Sequence, residues 1–286
     1  DALTFNATAA HLERAVTART KAVVVVHFGG QPCELDEIYA FAAERGLAVI
    51  EDCAHAVGAE YKGQMIGSFR GFSCFSFYAN KNLTTAEGGM VTTPDAEAAA
   101  NLAMWRLHGL DRDAWKRFHT KEVMISSCVY PGFKYNLTDL AASLGLHQLE
   151  RLPSMLGRRE ALAAKLDGLV RSLDGVTPQT RVADRTEGRH GLHLYAVVID
   201  PLAFRVNRNQ LIAALRAENI GGAIHYEPVH RQPYYAERLR LSDEPLPNSS
   251  RIGSNIISIP AQDSMTDADF DDVLTATEKV FSYYRA

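Results

Sequence analysis

The fold of this chain is decided by residues 22–52, which read AVVVVHFGGQPCELDEIYAFAAERGLAVIED. Residues 22–27 form a short apolar run rich in β-branched valine, which is typical of a buried strand. Glycines and a proline break this run, and apolar side chains then recur at helical spacing until Gly46, a natural helix stop. A second apolar run ends in Glu51 and Asp52. Strand, crossover helix and strand within about 30 residues predict a parallel βαβ unit.

The rest of the chain continues the alternation of strands and helices. Asn136 opens a predicted helix, because the apolar residues that follow it have helical spacing. The other predicted elements are four strands, at residues 72–78, 90–93, 193–199 and 224–226, and four helices, at residues 7–17, 152–173, 208–218 and 267–284.

The sequence changes character after about residue 173, where a separate set of strands begins. We therefore predict an α/β protein of two domains, with the boundary inside or just after the long helical stretch. Residues 1–152 form the large domain. Residues 153–286 form a connector helix and a smaller C-terminal domain.

The composition is that of an ordinary soluble enzyme, with 286 residues, 47% hydrophobic and 22% charged. A formal net charge of −4 gives no reason to expect nucleic acid or an anionic membrane as partner. No apolar run could span a bilayer, and the first residues do not form a signal peptide. The cysteines lack the spacing of a metal site or redox dithiol and indicate reduced thiols in a cytoplasmic protein: Cys33, Cys53, Cys74 and Cys128.

Three short motifs carry the chemistry, and their order matters more than any one of them. The first is EDCAHA at residues 51–56, an acidic pair at a strand end followed by a histidine. The second is SFYANKNL at residues 76–83, in which a lysine follows a hydrophobic strand, and the third is EGG at residues 87–89. Singly, they are a strand terminus or helix cap, a surface lysine and a turn. In this order and spacing they are far more specific.

Lys81 and Asp52 are the candidate catalytic pair. A lysine directly after a buried strand lies where desolvation lowers its pKa, as a Schiff-base lysine requires. A carboxylate at the end of a neighbouring parallel strand can keep a pyridinium nitrogen protonated, so that the ring stabilises a carbanion. The lysine amine is then placed to act as general base, and Ser76 is placed to donate to a cofactor phosphate.

These motifs extend into a longer resemblance. EDCAHAVGAEYKG (residues 51–63), FSFYANKNLTTAEGGMV (75–91), WRLHG (105–109) and PGFKYNLTD (131–139) together resemble the DegT/DnrJ/StrS family of sugar aminotransferases. The similarity runs from the first residue to at least Leu152, and more loosely to the C-terminus. The FKYNLTD stretch is particularly similar to enzymes that aminate 4-keto nucleotide sugars, including the one that forms 4-amino-4-deoxy-arabinose.

The resemblance implies a fold and an activity. The fold would be the three-layer α/β/α large domain of type I pyridoxal-phosphate transferases, with a mainly parallel sheet, and a smaller α+β C-terminal domain. The activity would be transamination of a keto sugar, nucleotide-linked, in polysaccharide or antibiotic sugar biosynthesis. Pyridoxal 5′-phosphate would be the cofactor and glutamate the amino donor, and the active unit would be a homodimer.

The resemblance also implies residue roles. Lys81 would carry the cofactor as a Schiff base, Asp52 would pair with its pyridine nitrogen, His55 would lie near its ring and Ser76 would contact its phosphate. Asn136 would reach the phosphate of the partner subunit's cofactor. The alternative for Asn136 is a helix N-cap.

Other assignments stay open. His225 and His230 lie in HYEPVH, which resembles the segment lining the substrate side of the family's pocket, and each would contact sugar or diphosphate or serve only packing. Relatives that dehydrate a deoxysugar have histidine in place of the lysine, so Lys81 favours transamination. The alternatives are a truncated non-catalytic paralogue with a binding or regulatory role, and a lyase using the same cofactor.

The sequence departs from the family at its start. In the family a further segment precedes the stretch matched by residues 1–6. It carries a Gly-Thr-rich helix N-terminus for the cofactor phosphate and an aromatic ring that stacks on pyridoxal. We expect the sequence to be part of a longer polypeptide. The alternative is a short protein whose cofactor affinity is weakened by lost phosphate hydrogen bonds, each worth roughly 1.5–3 kcal/mol.

Overall fold

The computed structural model describes four stretches of the chain: residues 1–110, 127–182, 188–239 and 246–286. Within them helices and strands alternate as an α/β fold requires. None of the helices in these stretches has both the length and the apolar character that a bilayer crossing demands.

The βαβ unit predicted from the opening stretch is confirmed. It follows a short helix, and the elements in order are α1 (Ala9–Ala15), β1 (Ala22–Val26), α2 (Leu35–Glu44) and β2 (Ala48–Asp52). β1 and β2 pair in parallel along their whole length. Gly46 follows α2 with a φ of +61°, a left-handed conformation that a glycine adopts at little steric cost and that ends the helix.

Two further strands complete the main sheet, and a small hairpin lies between β2 and them. The elements are β3 (Glu60–Tyr61), β4 (Gln64–Met65), β5 (Phe72–Ser76) and β6 (Gly89–Thr92). The four-stranded sheet has the order β1–β2–β5–β6, in which β2 pairs with β5 in parallel and β6 is antiparallel to β5. The carboxyl ends of β1, β2 and β5 therefore lie at one edge of the sheet, as the prediction for Asp52 required.

β1 is not buried on both faces, although its continuous apolar run predicts that. Val23 and Val25 are buried, whereas Val24 is 60% exposed and Val26 is 41% exposed. Because side chains alternate between the faces of a strand, one face of β1 packs on the core and the other lines an open cavity.

The helix predicted from Asn136 and the one predicted at residues 152–173 are one continuous helix. α3 (Ala96–Trp105) precedes it, and α4 (Asp139–Val170) is one helix of 32 residues that continues through Pro153. The prediction that Asn136 opens or caps this helix is wrong. Thr138 is the N-cap, because its hydroxyl accepts from the Ala141 N–H at 3.2 Å.

A second sheet follows α4. The elements after α4 are, in order, β7 (Val176–Pro178), β8 (Tyr195–Ile199), α5 (Arg208–Ala217), α6 (Pro233–Leu239), α7 (Pro247–Asn255), β9 (Ile256–Ile259) and α8 (Asp267–Tyr284). The three strands are antiparallel in the order β7–β8–β9, and α4, α5 and α8 bury their apolar faces in one hydrophobic cluster with them. The helices predicted at residues 208–218 and 267–284 are confirmed. The domain boundary at residue 152 stays a prediction.

One predicted strand is absent. Residues 224–226 form no strand, and the nearest pairing is a single bridge between Ala223 and Ser258. Residues 225–229 instead line the cavity described below.

Candidate active site

The carboxyl edge of the main sheet opens into a cavity of about 760 Å³. Four of the residues predicted from sequence line it: Asp52, His55, Lys81 and His225. A cavity of this size is within the range of small-molecule and cofactor sites.

Asp52 is the last residue of β2 and reaches the cavity because of strand alternation. Its neighbour Glu51 points to the opposite face and is completely buried. Asp52 Oδ1 accepts a hydrogen bond from the Ala54 N–H at 3.0 Å, which fixes the carboxylate at the strand end. Asp52 and Lys81 line the same cavity.

Lys81 follows β5 and is half-buried at the cavity wall. Burial lowers the pKa of its ammonium group, and the Asp52 carboxylate partly offsets this shift. A lysine amine with a lowered pKa is a better nucleophile and proton acceptor near neutral pH than an exposed one.

His55 is held as a neutral ring. Burial lowers its pKa to about 3, with smaller contributions from the positive charges of Lys81 and His225. Its Nδ1 accepts from the Gly29 N–H at 3.3 Å, and its Nε2 lies 3.3 Å from the Tyr226 hydroxyl oxygen. Both ring nitrogens therefore have partners on other elements.

Three residues near Lys81 were missed by the sequence reasoning: Asn82, His193 and Tyr226. Asn82 is buried and donates from Nδ2 to the Gly191 carbonyl at 2.6 Å, and its Oδ1 lies 3.1 Å from His193 Nδ1. The His193 ring packs 4.4 Å from the His55 ring. Tyr226 belongs to the HYEPVH segment, so the resemblance held a signal for it that was read only for the histidines.

The segment carrying His193 lies directly against the loop after β1. Gly191 donates to the Gly30 carbonyl at 2.8 Å, and Leu194 donates to the Gly29 carbonyl at 3.1 Å. Gly30 has a φ of +102°, and a Cβ there would lie 2.7 Å from the Leu192 nitrogen. Glycine is therefore required by both the backbone conformation and the close approach.

The remaining predicted residues do not line the cavity. Ser76 ends β5, and its hydroxyl accepts from the Tyr78 N–H at a long 3.4 Å. Asn136 is exposed ahead of α4. His230 is buried, with Nε2 2.9 Å from the Ser250 hydroxyl. Their assigned roles stay predictions.

Among the described residues, one group of metal-ligand type lies together, but hydrogen bonds already use it. Ligand atoms of His27, Glu51 and Cys53 lie within 4.8 Å of one another, and all three residues are buried. The Glu51 carboxylate accepts from His27 Nε2 at 2.9 Å and from the Tyr39 hydroxyl at 2.5 Å. His27 Nδ1 accepts from the Cys33 N–H at 3.0 Å. Burial raises the pKa of the Cys53 thiol, which disfavours the thiolate that a metal would need.

Comparison with known proteins identifies the family. Residues 1–278 match the DegT/DnrJ/EryC1/StrS aminotransferase family. The chain belongs to this family. It is 43% identical over 282 residues to the spore coat polysaccharide biosynthesis protein SpsC of Bacillus subtilis, covering 98% of this chain and 72% of SpsC.

Solved structures agree with this assignment. The structure of Spr1654 from Streptococcus pneumoniae, in its PMP form, matches with a TM-score of 0.88 and 29% identity over 99% of this chain and 75% of Spr1654. S. venezuelae DesV, in complex with a ketimine intermediate, matches with a TM-score of 0.87 and 28% identity over 98% of this chain and 70% of DesV.

The chain is therefore an aminotransferase with the type I fold, and pyridoxal phosphate is its cofactor, as the resemblance implied. The cavity fits that cofactor: it sets an amine, Lys81, and a carboxylate, Asp52, in the walls of one space large enough for a cofactor and a substrate.

Proposed function

We propose that this chain transfers an amino group from glutamate to the keto group of a nucleotide-linked sugar. The observation that carries the proposal is the meeting of Lys81 and Asp52 in one cavity. Support for a sugar substrate comes from SpsC, whose name places it in polysaccharide biosynthesis. The nucleotide linkage and the glutamate donor rest on the sequence resemblance alone. Cytoplasmic localisation stays a prediction.

Lys81 and Asp52 divide the work in this proposal. Pyridoxal phosphate, when bound, supplies an electron-accepting ring on which the amino group is carried between donor and acceptor. Lys81 Nζ attaches the cofactor and, when free, moves the proton at the substrate carbon, a task that its lowered pKa favours. Asp52 would face the pyridine nitrogen of the bound cofactor and would keep it protonated through its negative charge.

The other residues bind and orient. His55 would lie beside the cofactor ring as a neutral imidazole, and Ser76 would donate to the cofactor phosphate from the end of β5. His225 lines the cavity with Nδ1 2.8 Å from the Ser258 hydroxyl, so Nε2 is directed away from that bond and is assigned to the sugar side. His230 is assigned to the substrate diphosphate, for which its buried bond to Ser250 would have to rearrange.

The active unit in this proposal is a homodimer, in which Asn136 contacts the partner subunit's cofactor phosphate. Support comes from the large apolar side chains that stand exposed around Asn136: Phe133 at 50%, Tyr135 at 71%, Leu140 at 78% and Leu144 at 48%. An exposed apolar patch of this kind is typical of an interface. Its occupant is a second copy of the chain, since an isologous interface buries the same patch on both copies.

The dimer has its own test. Leu140→Lys with Leu144→Lys should shift the protein from dimer to monomer in sedimentation velocity and lower cofactor affinity together with it. A surface control, Leu202→Lys on a side chain that is 87% exposed, should leave the mass unchanged. A wild-type monomer with full activity would contradict the proposal.

The transamination itself is tested by absorbance with added pyridoxal phosphate, for wild type beside Lys81→Ala. We expect a band near the visible edge that Lys81→Ala abolishes and that glutamate bleaches. Recovery of the band should then require a keto sugar nucleotide. Wild-type protein without a Lys81-dependent band would contradict the proposal and return attention to the non-catalytic paralogue, which no observation on the structure favours.

A further inference from the structure

A continuous set of contacts leads from the neighbour of Lys81 to the cavity through Asn82, His193, His55 and Tyr226. Its first contact has a defined direction. Asn82 Nδ2 donates to the Gly191 carbonyl at 2.6 Å, and a carbonyl only accepts. The Asn82 amide is thereby oriented with Oδ1 toward His193 Nδ1, 3.1 Å away, so His193 Nδ1 carries the proton and donates.

The second contact is ring packing. The His193 ring lies 4.4 Å from the His55 ring at an interplanar angle of 41°. Burial is the main cause that lowers the pKa of His193 to about 2, with His55 and Lys81 adding to the shift, so both rings are neutral at physiological pH. His193 therefore supports one face of His55 without placing a charge beside Lys81.

The third contact decides which tautomer His55 adopts. The Gly29 N–H donates to His55 Nδ1 at 3.3 Å, and a backbone N–H cannot accept. Nδ1 must therefore present its lone pair, and a neutral imidazole then carries its proton on Nε2. That proton points to the Tyr226 hydroxyl oxygen, 3.3 Å away.

The last group in the set is the Tyr226 hydroxyl. Because its oxygen accepts from His55, its own proton is directed away from the ring, and Tyr226 lines the cavity beside Asp52 and Lys81. Burial, and secondarily the Asp52 charge, raise the pKa of Tyr226, so the hydroxyl keeps its proton at neutral pH.

We propose that Tyr226 donates a hydrogen bond to an acceptor oxygen of the ligand in this cavity, and that Asn82 and His193 are positioning residues that hold His55 in the orientation this bond requires. The proposal rests on the proposed function for the nature of the ligand. An acceptor oxygen is present on the cofactor and on a sugar substrate alike, so the shared chemistry is an oxygen lone pair.

Tyr226→Phe tests the donor and separates the two sources. It removes only the hydroxyl, and Tyr283→Phe on α8, a tyrosine that is 68% exposed and outside the cavity, is the matched control. If the oxygen belongs to the cofactor, the Kd for pyridoxal phosphate should rise about tenfold with KM for the keto sugar nearly unchanged. If it belongs to the sugar, KM should rise about tenfold with the cofactor Kd unchanged. Both constants within twofold of wild type would overturn the proposal.

The positioning residues are tested without cofactor or substrate. In the ¹⁵N spectrum of the full chain, His55 should show a protonated Nε2 and an unprotonated Nδ1 at pH 7. His193→Ala removes the ring that packs on His55, so the His55 ring can turn away from the Gly29 N–H and should become a mixture of tautomers. His193→Phe, which keeps a ring against His55, should restore more of the Nε2–H form. A purely structural His193 would lower the melting temperature and leave the His55 tautomer unchanged, which would overturn its role.

The proposal for Tyr226 and His193 can still be tested if the protein shows no transamination. In that case the tautomer of His55 and the effect of Tyr226→Phe on the pyridoxal phosphate Kd still decide the proposal, because neither needs turnover.

Discussion

Glu51 and Asp52 are adjacent carboxylates at the end of β2, and their side chains lie on opposite faces of the sheet in different environments. Glu51 is completely buried and accepts from His27 and Tyr39, which tie it to the end of β1 and to α2. Asp52 points to the other face, accepts from the Ala54 N–H and lines the cavity with Lys81. The alternation of a β-strand thus separates a buried acid from one that lines the cavity by a single residue.

The difference between the two faces lies in how completely the polar groups are used. Around Glu51 each named donor has an acceptor, as a buried charge requires. Tyr39 also accepts from the Gly71 N–H at 2.9 Å, which joins the start of β5 to the same network. Asp52 accepts a backbone hydrogen bond from Ala54 and lines the cavity, as a binding residue would. The hydrogen bonds on the Glu51 face fix the end of β2, and the other face leaves Asp52 accessible from the cavity.

The largest expected effect comes from Asp52→Asn, which removes the charge while keeping the size and the acceptor for Ala54. We expect transamination to fall about a hundredfold, corresponding to roughly 3 kcal/mol for a charge-assisted hydrogen bond. The melting temperature should change little, since the site is open to water. Steady-state kinetics and calorimetry measure the two effects. A variant that keeps its activity, or whose melting temperature falls strongly, would show that Asp52 stabilises the fold, as Glu51 does, and is not required for transamination.

Glu51→Gln is the matched change on the other face. The amide cannot accept from both the His27 and Tyr39 donors, so one is left unsatisfied, at about 2 kcal/mol of unfolding free energy. Turnover per folded molecule should stay within about threefold of wild type. Urea unfolding and active-site titration distinguish the two quantities. Unchanged stability together with a large loss of turnover would reverse the assignment of the two carboxylates.

The same strand geometry explains which residues of the site could be predicted from the sequence. Asp52 ends β2, and His55 and Lys81 follow the ends of β2 and β5. Both the βαβ pattern and the motifs place these strand ends together. Tyr226 and His193 could not be derived in that way, because their contacts cross 171 residues to His55 and 111 residues to Asn82. No periodicity carries that information; only the packed structure does.

Three predictions about local structure differ from the observed fold, and each depended on a choice that the local sequence does not determine. Asn136 and Thr138 are both residues that cap helices, and the sequence offers no means of choosing between them; the Ala141 N–H selects Thr138. The valine run of β1 is equally apolar on both faces, so its pattern could not show that Val24 and Val26 face a cavity. Ile224 belongs to a short apolar stretch whose length and β-branched residue suit a strand, but only Ala223 pairs.

The smallest expected effect concerns acid stability. His190 lies outside both the Glu51 network and the cavity lining, and burial lowers its pKa to about 3. Below pH 6.5 the unfolded chain binds a proton that the folded chain does not, so stability falls as pH decreases until the folded pKa near 3 is reached. Between pH 7.5 and 5.5 this histidine should account for about 1.4 kcal/mol.

Urea unfolding of His190→Gln at both pH values measures this share. The loss of unfolding free energy on acidification should be smaller in the variant by about 1.4 kcal/mol. His147→Gln, at an exposed position on α4, should show the wild-type loss. An equal loss in all three proteins would mean that the buried histidine does not govern acid stability, and the cavity histidines would then be the ones to substitute.

The central claim is that Lys81 holds the cofactor opposite Asp52. Its most direct test is to add one equivalent of pyridoxal phosphate, reduce with borohydride and locate the pyridoxyl group by peptide mapping. The account predicts the adduct on Lys81, abolished in Lys81→Ala and still formed in Asp52→Asn. An adduct spread over other lysines, or one that persists in Lys81→Ala, would contradict it.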